Sequence, residues 1–394
     1  MNDLYKIIKN QSNFLHQKII SYREHIHQFP ELSFNEFETA KFIKLKLEEI
    51  GIQNVQTISK TGVTALIYGK NHNLHQKFIG LRADLDALPI IEKNDVSYKS
   101  KYEGIMHACG HDVHTSILLG VAEILFSIKD ELPQPIKLIF QPGEEKNPGG
   151  ASILIKDGVL ENPQVDKMFA LHVFPELEVG KLGFKDGMYM ASSDEIYITI
   201  QGKGGHGAMP HDCIDPIYIG ANIITCLQQI VSRKCDPKIP TVLTFGYFAG
   251  LGETNVIPSE VTIKGTFRTM DENWRVLGLN EIIKQVKSIA ASFGAEANIE
   301  ISKGYPFLIN DSNLTNDLKK KAKLFFGENN IIDLPIRLTS EDFAFYSHHV
   351  PVCFFRLGVK NFEKGIVHGV HNSNFDIDNE ALKIGMEAMC LAVI

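Results

Sequence analysis

No stretch of this sequence approaches the roughly 20 consecutive apolar residues that a membrane-spanning helix requires, so no membrane partner is expected. The start of the chain lacks the apolar run of a secretory signal, because Asp3, Lys6 and Lys9 interrupt it, and the expectation is a cytoplasmic protein. There is no basic run, and the formal charge of -7 argues against nucleic acid as a partner. The six cysteines, at 109, 213, 226, 235, 353 and 390, include no CxxC pair and are expected to be mostly free thiols. Aromatic residues, at 9%, define no acyl pocket. Repeats and low-complexity tracts are absent.

What is present suffices for two domains, each with its own core: 394 residues, 44% of them hydrophobic and 22% charged. Apolar periodicity predicts helices over 3–28, ended by Pro30, and over 35–50, with Gly51 as C-cap. Strands follow at 63–68 and 78–81, a helix at about 113–128, a strand at 136–140, a helix near 150–156 and a strand at 168–171. This alternation predicts an α/β layer with a largely parallel sheet. From residue 182 the pattern becomes strand 196–201, helix 215–233, strands 241–249 and 261–269, helix 273–293 and strand 297–302. Two helices on one face of a four-stranded antiparallel sheet is the packing this predicts. The first pattern then returns with helix 314–326, strands 335–338 and 352–357, and helix 379–392. The expected architecture is a discontinuous α/β catalytic domain, residues 1–181 and 298–394, carrying an inserted α+β domain over 182–297.

Four segments carry chemistry. The first, His107-Ala-Cys109-Gly-His111-Asp-Val-His114, packs four candidate metal ligands into eight residues. Gly110 permits a turn that aims Cys109 and His111 at one point. The plainer reading is a polar helix start capped by Asp112. The second, Gln141-Pro-Gly-Glu144-Glu145, follows a strand, where open α/β sheets build their sites. Adjacent carboxylates there can divide labour, one taking a metal and the other a proton from water. The third is His172, expected at the end of the strand 168–171. The fourth is the loop Val367-His368-Gly-Val-His371-Asn372, in which either histidine is a candidate ligand. Such loops share one edge of a parallel sheet and their side chains can converge. So many ligands exceed the need of one catalytic zinc and favour two metals sharing a bridge, a role open to a thiolate.

Taken in order, these motifs resemble the aminoacylase and carboxypeptidase-like metallohydrolases. The similarity is to the branch with hippurate hydrolase, N-acetyldiaminopimelate deacetylase and the plant indoleacetyl-amino-acid hydrolases. It runs through HQFPELSFNEFETA at 27–40, GLRADLDALPI at 80–90, HACGHDVH at 107–114 and QPGEE at 141–145. GGHGAMPH at 204–211, NVIP at 255–258, TSEDF at 339–343 and VHNSNF at 370–375 continue it. The resemblance implies Cys109 as bridging ligand, His111 and His172 completing one metal position, and Glu145 and His371 the other. Asn372 and Phe375 follow His371 as the family motif requires, which favours it over His368. Glu144 matches the catalytic base. One of Asp84 and Asp86 is implied to support a histidine ligand. His206 matches a residue that in this family reaches into the partner subunit's site to stabilise the oxyanion, and Asn255 and Arg268 are weaker candidates for substrate contact. Gly143 departs from the usual Ala and is expected to loosen its turn.

The activity so implied is hydrolysis of N-acyl amino acids to a carboxylate and a free amino acid. It implies two divalent ions per subunit (zinc, manganese, cobalt or nickel) and a homodimer, or a higher homo-oligomer, with the insertion forming the dimer interface. A dipeptide-cutting exopeptidase with the same metals is the nearest rival. A non-catalytic metal-binding scaffold is a third reading, against which the intact Glu144-Glu145 pair and His206 argue.

Overall fold

The computed structural model describes residues 2–69 and 76–394. The chain divides into two compact units: residues 1–187 with 309–335 and 345–394, and residues 188–308 with 336–344.

The larger unit is built on an eight-stranded sheet. Its spatial order is Val55–Ile58, Gly62–Ile67, Ile136–Gln141, Phe78–Asp84, Val165–Glu178, Val352–Lys360, Leu182–Phe184, Ile331–Asp333. The four central strands, from Ile136–Gln141 to Val352–Lys360, run parallel; the first two strands and Leu182–Phe184 supply antiparallel pairings. Every residue of Phe78–Asp84 and Ile136–Gln141 is buried, as a strand covered on both faces must be. Helices Asn2–Gln28, His111–Ser127 and Glu380–Leu391 pack on one another in this unit. Their apolar faces join the strand side chains in one core that includes Ile19, Leu118, Leu125 and Met386. Each such fully buried aliphatic side chain contributes about 1.5–3 kcal/mol. Phe14 is 81% exposed, whereas Ile8, Leu15, Ile19, Tyr22 and Ile26 make the buried stripe of the first helix.

The smaller unit is the predicted α+β arrangement. Its sheet runs Thr241–Ala249, Glu260–Thr269, Asp194–Gln201, Glu296–Lys303, antiparallel throughout. Helices Pro216–Gln229 and Glu272–Ser292 pack on it and on each other. Asp215 and Asp271 cap them: Asp215 accepts from the backbone N–H groups of Ile217 and Tyr218, Asp271 from that of Trp274.

The unit boundaries differ from those read in the sequence, for reasons of pairing. Leu182–Phe184 adds to the large sheet beside Val352–Lys360, so residues 182–187 belong to the larger unit. Glu296–Lys303 pairs with Asp194–Gln201 along its whole length, so residues 298–308 belong to the smaller one. The strand expected at 335–338 is instead Ile331–Asp333, paired with Leu182–Phe184; residues 336–344 fall in the smaller unit, where Arg337 makes a single bridge to Met190.

Candidate metal centre

The loops that leave the central parallel strands converge in the larger unit. Asp84 closes one strand and Asp86 follows two residues later; Gly143, Glu144 and Glu145 follow Gln141 at the end of its neighbour. His172 does not end its strand. The strand runs on to Glu178, and His172 sits within it opposite Arg356. Cys109 and His111 flank Gly110, whose φ of 88° turns the chain into helix His111–Ser127. A Cβ on Gly110 would lie 2.5 Å from Val173, so the close approach as well as the φ demands glycine. Asp112 does not cap this helix. Its carboxylate is buried against Arg23 and His27.

Two sets of three donor atoms lie within 4.8 Å of one another and share a thiol: Cys109, His111 and His172, and Cys109, Glu145 and His371. His111, Glu144 and Glu145 form a third such set. Cys109 Sγ is 3.4 Å from His172 Nε2, and His371 Nε2 is 3.1 Å from Glu145 Oε1. The donor set fits a divalent cation on local evidence. His111 Nε2 is buried and makes no hydrogen bond among the described residues. Buried polar atoms are normally paired, and this one stands among the donor atoms of Glu144 and Glu145. His172 Nδ1 lies 2.7 Å from the Val173 carbonyl, which assigns its proton to Nδ1 and leaves Nε2 a lone pair toward Cys109.

Asp86 organises the site. Its Oδ1 meets His111 Nδ1 at 3.1 Å and accepts from the Glu144 N–H at 3.1 Å. Its Oδ2 accepts from the Glu145 N–H at 2.9 Å and the Ser33 hydroxyl at 2.6 Å. Both glutamates are therefore held by their backbones on one carboxylate. Asp84 has a different role. Arg82 donates to it at 2.6 Å, and His114 Nδ1 meets it at 2.6 Å. The other nitrogen of His114 accepts from the Val173 N–H at 2.9 Å, so His114 is saturated and is no ligand, although it stands near His111. His107 is fully buried and His368 is exposed; neither enters a donor set among the described residues.

Electrostatics follow the packing. Burial opposes the ionised form of Asp84, but His111, His114 and Arg82 outweigh it and hold its carboxyl well below the usual range. Burial likewise opposes a charged His111, yet Asp84 and Asp86 push that ring up to about 10. The Cys109 thiol is driven upward by burial first, then by Glu145, Glu144 and Asp84. A coordinated divalent ion reverses that order for a thiol.

Sequence reasoning missed Glu36. It is fully buried, and its Oε1 accepts the Gly143 N–H at 2.8 Å and the Phe34 N–H at 2.9 Å. Thr61 donates to Oε2 at 2.8 Å. Burial and the nearby Asp86 charge push its carboxyl up to about 7 from about 4.5. A carboxyl raised in this way binds its proton better folded than unfolded. Its stabilising contribution is full below the unfolded value and is lost as pH rises through the folded one. Glu36→Gln is therefore expected to flatten the fall of Tm between about pH 4.5 and 7; a slope equal to wild type in thermal melts would refute this account.

Gly143 does not loosen its turn. Its φ is 61°, and a Cβ there would lie 2.3 Å from the Phe34 ring, which fills the space. Gly143→Ala is expected to cost about 1–3 kcal/mol in denaturant unfolding by overpacking. Combined with Phe34→Ala, the cost should fall short of the sum of the two single changes; simple additivity would show that the ring is not the obstacle.

In the smaller unit, His206 is exposed and pairs with Val256 in a short antiparallel ladder. The Gly207 N–H donates to the Asn255 carbonyl at 2.7 Å, so the segments bearing His206 and Asn255 lie side by side. His206 Nδ1 accepts from the Ala208 N–H at 3.1 Å, which assigns the ring proton to Nε2 as a donor. Arg268 is not paired to a surface carboxylate; its Nη1 donates to the Leu338 carbonyl and Ser340 hydroxyl, both at 3.3 Å.

The sequence and the fold match known proteins. The model for peptidase family M20/M25/M40 matches residues 80–394. N-acetyl-L-cysteine deacetylase of Bacillus subtilis is 41% identical, covering 97% of this chain and 89% of the relative. Thermostable carboxypeptidase 2 of Saccharolobus solfataricus is 35% identical over 100% of this chain and 98% of its own. A solved Bacillus subtilis structure, described as a dinuclear metal binding peptidase from the M20 family, superposes with a TM-score of 0.80 at 33% identity, covering 97% of this chain and 98% of that one. The chain belongs to peptidase family M20/M25/M40.

Proposed function

We propose that this protein hydrolyses the amide bond of N-acyl amino acids, releasing a carboxylate and a free amino acid. The observation that carries the reading is the pair of donor sets sharing Cys109, with Glu144 beside them. The similarity to a deacetylase of an N-acetylated amino acid and to a dinuclear metal binding peptidase supports it.

Cys109, His111 and His172 would hold one divalent ion, and Cys109, Glu145 and His371 a second, with zinc, manganese, cobalt or nickel as candidates. Two ions so held activate water and polarise the scissile carbonyl. Glu144 takes the proton from the attacking water and delivers it to the leaving amine nitrogen. Asp86 holds the backbone of Glu144 and Glu145, and Asp84 holds His114, whose Nε2 fixes the strand at Val173. The Nε2–H of His206 donates to the oxyanion, from a partner subunit in a homodimer built through the smaller unit. Asn255 and Arg268 contact substrate. His206→Ala is expected to lower kcat by about 10²–10³ with metal content intact; a monomer of full activity would contradict action across subunits.

No helix among the described residues is long and apolar enough to cross a membrane, and all six cysteines are free thiols, a state that fits a reducing cytoplasmic setting. The carboxypeptidase relative keeps a peptide-cutting activity in view. Amino-acid release from N-acetyl, N-benzoyl and longer N-acyl amino acids, run beside dipeptides on metal-restored protein, separates the two. Turnover of dipeptides alone would replace the proposed reading.

A further inference from the structure

The candidate metal ligands come from segments far apart in sequence, and one buried cation joins two of those segments. Arg23, in helix Asn2–Gln28, is fully buried. Its Nε donates to Asp112 Oδ2 at 2.9 Å, one residue past His111 at the start of helix His111–Ser127. Its Nη2 donates to Asp376 Oδ1 at 2.7 Å, five residues past His371. The guanidinium lies 4.7 Å from the Tyr98 ring centroid, and the Tyr98 hydroxyl donates to Asp376 Oδ2 at 2.8 Å. A rigid planar fork can hold two carboxylates at a set separation, which a lysine cannot.

The segment at the far end needs such an anchor. His371 has a φ of 62°, a left-handed backbone that a residue with a side chain adopts only when its surroundings impose it. On one side the His371 N–H donates to the Ala108 carbonyl at 2.7 Å, beside Cys109. On the other a tight turn follows, closed by Phe375 N–H to the Asn372 carbonyl at 3.0 Å, and Asp376 comes directly after it. Lys93 N–H to the Ser373 carbonyl at 2.8 Å and Asn94 to the Phe375 carbonyl at 2.9 Å fasten the same turn. The His371 side chain is half exposed, so packing alone does not hold it.

We propose that Arg23 is a positioning residue for the metal centre, a clasp that ties the helix start bearing His111 to the loop bearing His371 and so sets the separation of the two ion positions. The inference rests on the two-ion reading above. Arg23 touches no donor atom of either set. It acts through Asp112 and Asp376, and its loss removes one of the ties on the His371 loop while His111 keeps its support from Asp86 and His172 its support from Val173.

The test is a metal titration of chelator-stripped protein with zinc, followed by a competing chromophoric chelator, on wild type, Arg23→Met and Asp376→Ala. Wild type should take up two ions. Both variants should keep one affinity and weaken the other by about 10- to 100-fold, the usual effect of removing a group that supports a ligand. Asp376→Ala leaves the Arg23–Asp112 pair in place and carries the test if Arg23→Met does not fold. Two affinities equal to wild type in a variant with a lowered Tm would overturn the clasp and leave Arg23 a support of the fold alone. Fewer than two ions on wild type would overturn the two-ion reading, and the clasp with it.

Discussion

Glu144→Gln is expected to lower kcat by about 10²–10⁴ while leaving metal content unchanged. The separation of the two readouts follows from how the residue is held. The Glu144 N–H is fixed on Asp86 Oδ1 at 3.1 Å and its neighbour's N–H on Asp86 Oδ2 at 2.9 Å, and these backbone anchors survive the exchange. Gly143 N–H on Glu36 adds a third anchor. Glutamine keeps the size of the side chain and cannot accept a proton. Metal analysis beside steady-state kinetics decides the matter. Retained turnover would remove Glu144 as the base, and a loss of one ion would make it a ligand instead.

Much of this is legible in the sequence. The central strands read as short, largely apolar runs alternating with helices, and that alternation predicts a covered parallel sheet. The ordered motifs also named the donors that the fold brings together. What escaped notice depends on contacts distant in sequence. Glu36 lies in a segment rich in ordinary acidic residues, and only the fold shows it buried under the Gly143 turn, 107 residues away. Arg23 lies outside every motif, yet it faces inward onto Asp112 and Asp376. The departure at Gly143 was misread for the same reason, because the Phe34 ring that fills the space comes from another segment. The unit boundaries moved because pairing, not local composition, assigns Leu182–Phe184 and Glu296–Lys303 to their sheets.

Chelation is expected to abolish turnover and to lower Tm by several degrees, with both restored by added divalent metal. The physical case is the set of ligand-type side chains that the fold brings together. Cys109, Glu144, Glu145 and Asp84 crowd one region, and the thiol is pushed upward by burial and by those three carboxylates. The His111 Nε2 atom is buried without a hydrogen-bond partner among the described residues, a state that costs roughly 1–3 kcal/mol. A ligand that binds only the folded chain stabilises it by about 4 kcal/mol at a thousandfold excess over its Kd. The melting shift measures that linkage directly, independently of any substrate. Stripped protein that melts with the loaded protein would mean that the folded chain does not bind metal here, and activity surviving exhaustive chelation would remove metal from the proposed reaction.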